Sequence, residues 1–115
     1  MKNILNKELV ERYSRQIVLK DVGPTGQKKI IKSKVLVVGA GGLGCPVIDY
    51  LSRAGVGNIG IVDNDKVNIS NIHRQSLYNS KDIGKFKVNA VKQKIKLINP
   101  QVKIKTYKTR IEKKN

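Results

Sequence analysis

The apolar run Val35-Leu36-Val37-Val38 leads straight into a glycine-rich turn, Gly39-Ala40-Gly41-Gly42-Leu43-Gly44, which opens onto a stretch with helical spacing. Strand, turn and helix in that order form a nucleotide-phosphate site. Gly39 permits the tight turn, Gly41 lets backbone approach a phosphate, and Gly44 lets the helix lie close against the strand. The free N–H groups and partial positive charge of a helix N-terminus then face the anion.

The flanking patterns extend this into a fold. Residues 7–18 carry Leu9, Val10, Tyr13 and Ile17 at helical spacing, and Thr25 is placed to cap a second helix running to about Ser33, with Ile30 and Ile31 inward. A helix is expected from about Leu43 to Ala54, with an apolar stripe of Val47, Leu51 and Ala54 and a stop at Gly55. Strands follow at Ile59 to Asp63 and Val102 to Thr106; between them lie a polar loop from Asn64 to about Lys81 and a helix from about Lys85 to Ile98. The expected architecture is α/β: a Rossmann-like, doubly wound parallel sheet represented by one three-stranded βαβαβ half. A helical arm, residues 1–34, precedes a nucleotide-binding half-domain, residues 35–115.

In such sheets the first strand has neighbours on both sides. Here every later element falls on one side, which leaves Val35–Val38 at a bare edge. The expectation is an N-terminal fragment or truncated product, or a sheet completed by a partner chain.

The net charge of +16 invites a nucleic-acid reading, but the 19 lysines far outnumber the 5 arginines and are spread along the chain. One Phe, four Tyr and no Trp leave little to stack on bases, so nucleic acid is not the expected partner. A basic surface still attracts ATP or an acidic protein. The single cysteine excludes an internal disulfide framework, and no apolar run reaches membrane length; a cytoplasmic protein is expected. Cys45 reads as a small buried residue, and His73, the only histidine, as a loop-packing residue instead of a metal ligand.

Asp63 ends the second strand, 19 positions after Gly44, where a carboxylate accepts from ribose hydroxyls; Asp65 is placed to share that role one step further out. NAD, FAD and ATP fit these features equally. Arg74 and Lys87 break the tie towards ATP, because a triphosphate about to lose pyrophosphate needs cations aimed at its outer oxygens. Lys87 is expected on the polar side of its helix.

Six segments, in order, resemble the ThiF/MoeB/HesA enzymes and the related ubiquitin-activating adenylation domains: Arg12-Tyr13-Ser14-Arg15-Gln16, Val38 to Gly44, Ala54-Gly55-Val56-Gly57-Asn58, Asp63-Asn64-Asp65, Ser70-Asn71-Ile72-His73-Arg74-Gln75 and Gly84-Lys85-Phe86-Lys87. They cover nearly the whole chain but only about the first half of a typical member. The pattern looks closest to the molybdopterin-synthase and thiamine-pathway subfamilies. The resemblance implies ATP- and magnesium-dependent adenylation of the C-terminal glycine carboxylate of a ubiquitin-like sulfur carrier. It also implies a homodimer in the full-length protein.

By the same resemblance, Gly42 and its neighbours meet the nucleotide through backbone, Asp63 holds the ribose, and Ser70 and Asn71 join Arg74 around the phosphates. Lys87 neutralises charge during attack, and Arg15 is inserted into a partner's site. The family's magnesium-binding aspartate after the next strand and its C-x-x-C zinc pairs have no counterpart here, so the chain alone is expected to adenylate nothing. Two other readings stand beside this one: a NAD- or FAD-binding oxidoreductase domain, and a non-catalytic fragment that binds a full-length homologue.

Overall fold

The computed structural model describes residues 4–115. Three short helices form the arm: α1 (Lys7–Arg12), α2 (Ser14–Ile17) and α3 (Gly23–Lys32). Then come β1 (Lys34–Val38), α4 (Gly44–Ala54), β2 (Asn58–Val62), α5 (Lys87–Ile98) and β3 (Lys103–Tyr107). Two 3₁₀ turns, Ile69–Asn71 and Ser80–Asp82, punctuate the long loop between β2 and α5. The sheet is parallel throughout with order β1-β2-β3, so β1 is indeed an edge.

The arm differs from the expected single helix over 7–18. Asn6 caps α1 by accepting from the Leu9 N–H at 2.9 Å. The chain then breaks at Tyr13, with φ −102° and ψ 13°, because its ring turns inward and is buried. Val10 consequently points out, 44% exposed. The helix expected from Thr25, α3, begins at Gly23, two residues before that cap, with Pro24 in its first turn where a missing N–H costs little.

Helices α4 and α5 both cover the same face of the sheet, as successive crossovers of one hand moving in one direction must. The core lies there: Val37, Ile59 and Ile61 from the strands meet Cys45 and Ile48 of α4 and Val88, Val91 and Ile95 of α5. Each such aliphatic burial is worth about 1.5–3 kcal/mol. The buried stripe of α4 is Cys45, Ile48 and Ser52, with Leu51 half-buried; the expected Val47 is 47% exposed instead. The opposite face of the sheet is open among the described residues, with Leu36 56% and Val38 61% exposed. Continuous apolarity in β1 therefore does not mean that both faces are covered here.

A second, smaller cluster of Leu5, Leu9 and Tyr13 with Ile17 and Ile31 ties the arm down. Its polar counterpart is a buried clamp on the end of α4. Gln16 and Gln27 both donate to the Ala54 carbonyl at 3.0 Å, and Gln16 also donates to Gln27 at 2.6 Å. Asn99 donates to the Tyr13 hydroxyl and to the Ser52 carbonyl, each at 2.8 Å. Gly55 ends α4 at φ +95°, and a Cβ there would lie 2.6 Å from the Tyr13 ring, so the arm is seated against bare glycine.

Candidate functional site

The turn after β1 and the residue after β2 are welded together. Asp63 accepts from the Ala40 N–H at 2.9 Å through one oxygen and from the Asp65 N–H at 2.7 Å through the other. The Ala40 carbonyl in turn accepts from the Tyr78 hydroxyl at 2.5 Å and from the Cys45 thiol at 3.4 Å. Gly39 takes φ +96° and donates to the Val62 carbonyl at 2.7 Å, and a Cβ on Gly44 would sit 1.9 Å from the Gly39 oxygen. The sixth position of the turn thus admits glycine alone.

This bracing leaves the top of the turn free. Among the described residues, the backbone N–H groups of Gly41, Gly42, Leu43 and Gly44 donate to no protein acceptor. They stand at the start of an 11-residue helix, where amide dipoles add to the same positive end. Such amides at the positive end of a helix suit an anion.

The β2–α5 loop rises beside the turn. Asn68 and Asn71 cap the first 3₁₀ turn reciprocally: the Asn68 N–H donates to the Asn71 side chain at 2.8 Å, and the Asn68 side chain accepts from the N–H and the hydroxyl of Ser70 at 3.0 Å. The Ser70 carbonyl accepts from Arg74 Nη1 and faces His73 Nδ1, each at 2.9 Å. His73 thereby buttresses Arg74, whose Cγ and Cδ lie 4.0 Å from where a Cβ on Gly42 would be. Gln75 lies equally close to Gly41: a Cβ there would be 3.5 Å from Gln75 Nε2.

Lys87 corrects the expectation of a polar helix face. It is the first residue of α5, its N–H donates to the Asp65 carbonyl at 2.9 Å, and it is only 6% exposed. Its ammonium makes no ion pair or hydrogen bond among the described residues. Burial raises the Cys45 thiol pKa, while hydrogen bonds and the nearby Lys87 charge pull it partly back. Burial, with Cys45 and Asp63 adding to it, pushes the Tyr78 hydroxyl far above its ordinary range.

Gly39, Gly41, Gly42, Gly44, Asp63, Asp65, Ser70, Asn71, Arg74 and Lys87 therefore all lie around the C-terminal ends of β1 and β2. Arg15 does not. It is exposed on α2, beside the clamp on Ala54, at the opposite end of α4 from the glycine turn. Eleven helical residues separate those ends by about 16 Å.

A model of the family described as "ThiF family" matches residues 13–115. The chain belongs to the ThiF family. It is 51% identical over 106 residues to the adenylyltransferase and sulfurtransferase UBA4 of Vanderwaltozyma polyspora, covering 91% of this chain and 24% of that one. It is 45% identical over 109 residues to the sulfur carrier protein adenylyltransferase of Thermus thermophilus, covering 95% and 40%. Among solved structures, PaaA superposes with a TM-score of 0.90 at 35% identity, covering 97% of this chain and 37% of that one. E. coli MccB, solved with AMPCPP and MccA, superposes with a TM-score of 0.82 at 30% identity, covering 88% and 31%. The chain spans about a quarter to two-fifths of the length of these curated relatives.

Two residues of this ThiF-family site had no role in the sequence reading. Tyr78 braces Ala40, a contact across 38 positions that local spacing does not reveal. Gln75 is 4% exposed, and its Oε1 is enclosed with no hydrogen-bond partner among the described residues. Its place at the end of the family-like segment Ser70 to Gln75, next to Arg74, was the available signal. An unpaired buried acceptor costs roughly 1–3 kcal/mol, so its presence in a braced site calls for a reason.

Proposed function

We propose that this chain is the ATP-binding part of an adenylyltransferase that activates the C-terminal glycine carboxylate of a ubiquitin-like sulfur carrier, in molybdopterin or thiamine biosynthesis. One observation carries the reading. Four unpaired amides, Gly41 to Gly44, stand at the end of β1 beside a carboxylate, Asp63, and two cations, Arg74 and Lys87, carried on the loop and helix that follow β2. A hydride-transferring dinucleotide, with only two bridged phosphates, needs the first two features and fewer cations. A relative sharing 45% identity bears the name sulfur carrier protein adenylyltransferase.

Each group then has a task. The Asp63 oxygens each spend one lone pair on backbone and keep another for a ribose hydroxyl. The amides of the turn hold phosphate oxygens, and Asn71 and Ser70 line the same rim. Arg74, held in place by the Ser70 carbonyl, meets charge on the outer phosphates. Lys87 presents an ammonium with no ion-pair partner among the described residues, on a side chain whose stem is mostly buried. The carrier carboxylate attacks the α-phosphorus, the bond to the bridging oxygen breaks, and pyrophosphate leaves with that electron pair. The protein's part is positioning and charge neutralisation.

Arg15 serves a second copy. Its seat at the far end of α4 keeps it from the site of its own chain, so a phosphate it meets belongs to a homodimer partner. Among the described residues no cluster of three or more His, Cys, Asp or Glu is present to hold magnesium by protein ligands alone. No step is routed through the metal.

ATP–pyrophosphate exchange by the protein carrying this sequence tests the reading. Exchange that requires a glycine-terminated carrier and is lost in Arg74→Ala is expected. Exchange that ignores the carrier's terminal glycine contradicts it.

A further inference from the structure

Gln75 is the least explained residue of the site. It sits at the end of the loop that also carries Arg74, held by its own N–H to the Asn71 carbonyl at 2.8 Å and by its carbonyl from the Tyr78 N–H at 3.2 Å. The backbone is thus fixed and the side chain is directed at Gly41. Yet the carboxamide links nothing: Oε1 is enclosed and unpaired, and Nε2 has no protein acceptor among the described residues. The other buried glutamine, Gln27, shows the contrast, with both ends of its amide bonded to neighbours. A structural glutamine is used as Gln27 is; Gln75 is not.

What Gln75 touches is the unpaired edge of the turn. Its nitrogen would lie 3.5 Å from a Cβ on Gly41, in the space that the missing side chain leaves for a ligand. The neighbouring residue stands in the same relation to the next glycine, Arg74 beside Gly42. Ala40, the residue before Gly41, is bonded to Asp63, so a ribose held by Asp63 would lie within one residue of the free Gly41 amide. We propose that the Gln75 carboxamide donates to an oxygen of the α-phosphate through the gap at Gly41. It would be a neutral donor at the phosphate where reaction occurs, beside cations that serve the leaving group. The inference rests on the ATP reading given above.

Gln75→Met keeps the length of the side chain and removes the donor. Binding of ATP and of AMP to the wild-type chain and the variant is measured by calorimetry, with heat unfolding of both in the absence of nucleotide. The expected result is at least about a tenfold loss of affinity, equal for ATP and AMP, as for a hydrogen bond to a charged group. The ligand-free unfolding temperature should hold or rise, because an unpaired buried acceptor is gone. Gln75→Glu should weaken ATP further, since an anion then faces the phosphate. Unchanged affinity in Gln75→Met overturns the inference and leaves the ATP reading intact. A loss for ATP alone moves the contact away from the α-phosphate and overturns it too, as does a fall in unfolding temperature that accounts for the lost binding. A wild-type chain that binds no ATP removes the underlying reading and the inference with it.

Discussion

The Tyr78 hydroxyl donates to the Ala40 carbonyl at 2.5 Å, while the N–H of the same Ala40 is held by Asp63 at 2.9 Å. One residue of the glycine turn is therefore pinned from two directions by two separate segments. That arrangement explains how a turn rich in glycine keeps four amides aligned.

Tyr78→Phe removes one of these pins and leaves the Cys45 thiol as the remaining donor to Ala40. A loss of about 1 kcal/mol in unfolding free energy is expected, together with weaker ATP binding. Urea unfolding, with and without ATP, measures both.

The same pair sets an alkaline limit. The folded-state pKa values of Cys45 and Tyr78 are both raised, chiefly by burial. Above about pH 8.5 for cysteine and about pH 10 for tyrosine, the unfolded chain loses protons that the folded chain keeps. The folded state then binds more protons than the unfolded one, so stability is full below those values and falls as pH rises beyond them. The difference between wild type and Tyr78→Phe is the quantity to follow. It should shrink above pH 10 as wild type loses the Tyr78 contribution; a constant difference up to pH 11 contradicts this.

Gly41 and Gly44 should behave in opposite ways. A Cβ on Gly44 strikes the Gly39 carbonyl at 1.9 Å, whereas a Cβ on Gly41 lies in ordinary contact with Gln75 at 3.5 Å. Gly44→Ala should cost about 3 kcal/mol or more, because backbone must move. Gly41→Ala should fold with a change under about 1 kcal/mol and still lose ATP affinity, since the methyl group occupies the ligand's approach. Unfolding curves and calorimetry on the two variants separate the effects.

Lys87 needs two substitutions to be understood. Lys87→Ala deletes a buried stem and should cost about 2–3 kcal/mol of stability besides ATP use. Lys87→Met retains the volume and should fold as well as wild type while ATP affinity drops. Equal ATP affinity in Lys87→Met and wild type would make the residue structural.

Much of this was legible in the sequence because the signals were local. The turn with its strand and helix follows from patterns within about ten residues, and the parallel sheet with β1 at its edge follows from the order of such elements along the chain. What was not legible depended on distant partners. Tyr13 breaks the arm helix because a pocket bounded by Gly55 and Asn99 receives its ring. The exposure of Val47 and the burial of Lys87 depend on how α4 and α5 rotate to meet one sheet face, which periodicity fixes only to within a residue. Gln75 and Tyr78 were missed because their tasks concern Gly41 and Ala40, more than thirty positions upstream.

The most direct test of the central claim is heat unfolding of the chain with ATP and, separately, with NAD at equal concentration. A nucleotide present at 100 times its Kd adds about 2.7 kcal/mol of stability. A higher unfolding temperature with ATP, little change with NAD, and loss of the ATP effect in Arg74→Ala are expected. Protection by NAD that equals or exceeds that by ATP would contradict the claim.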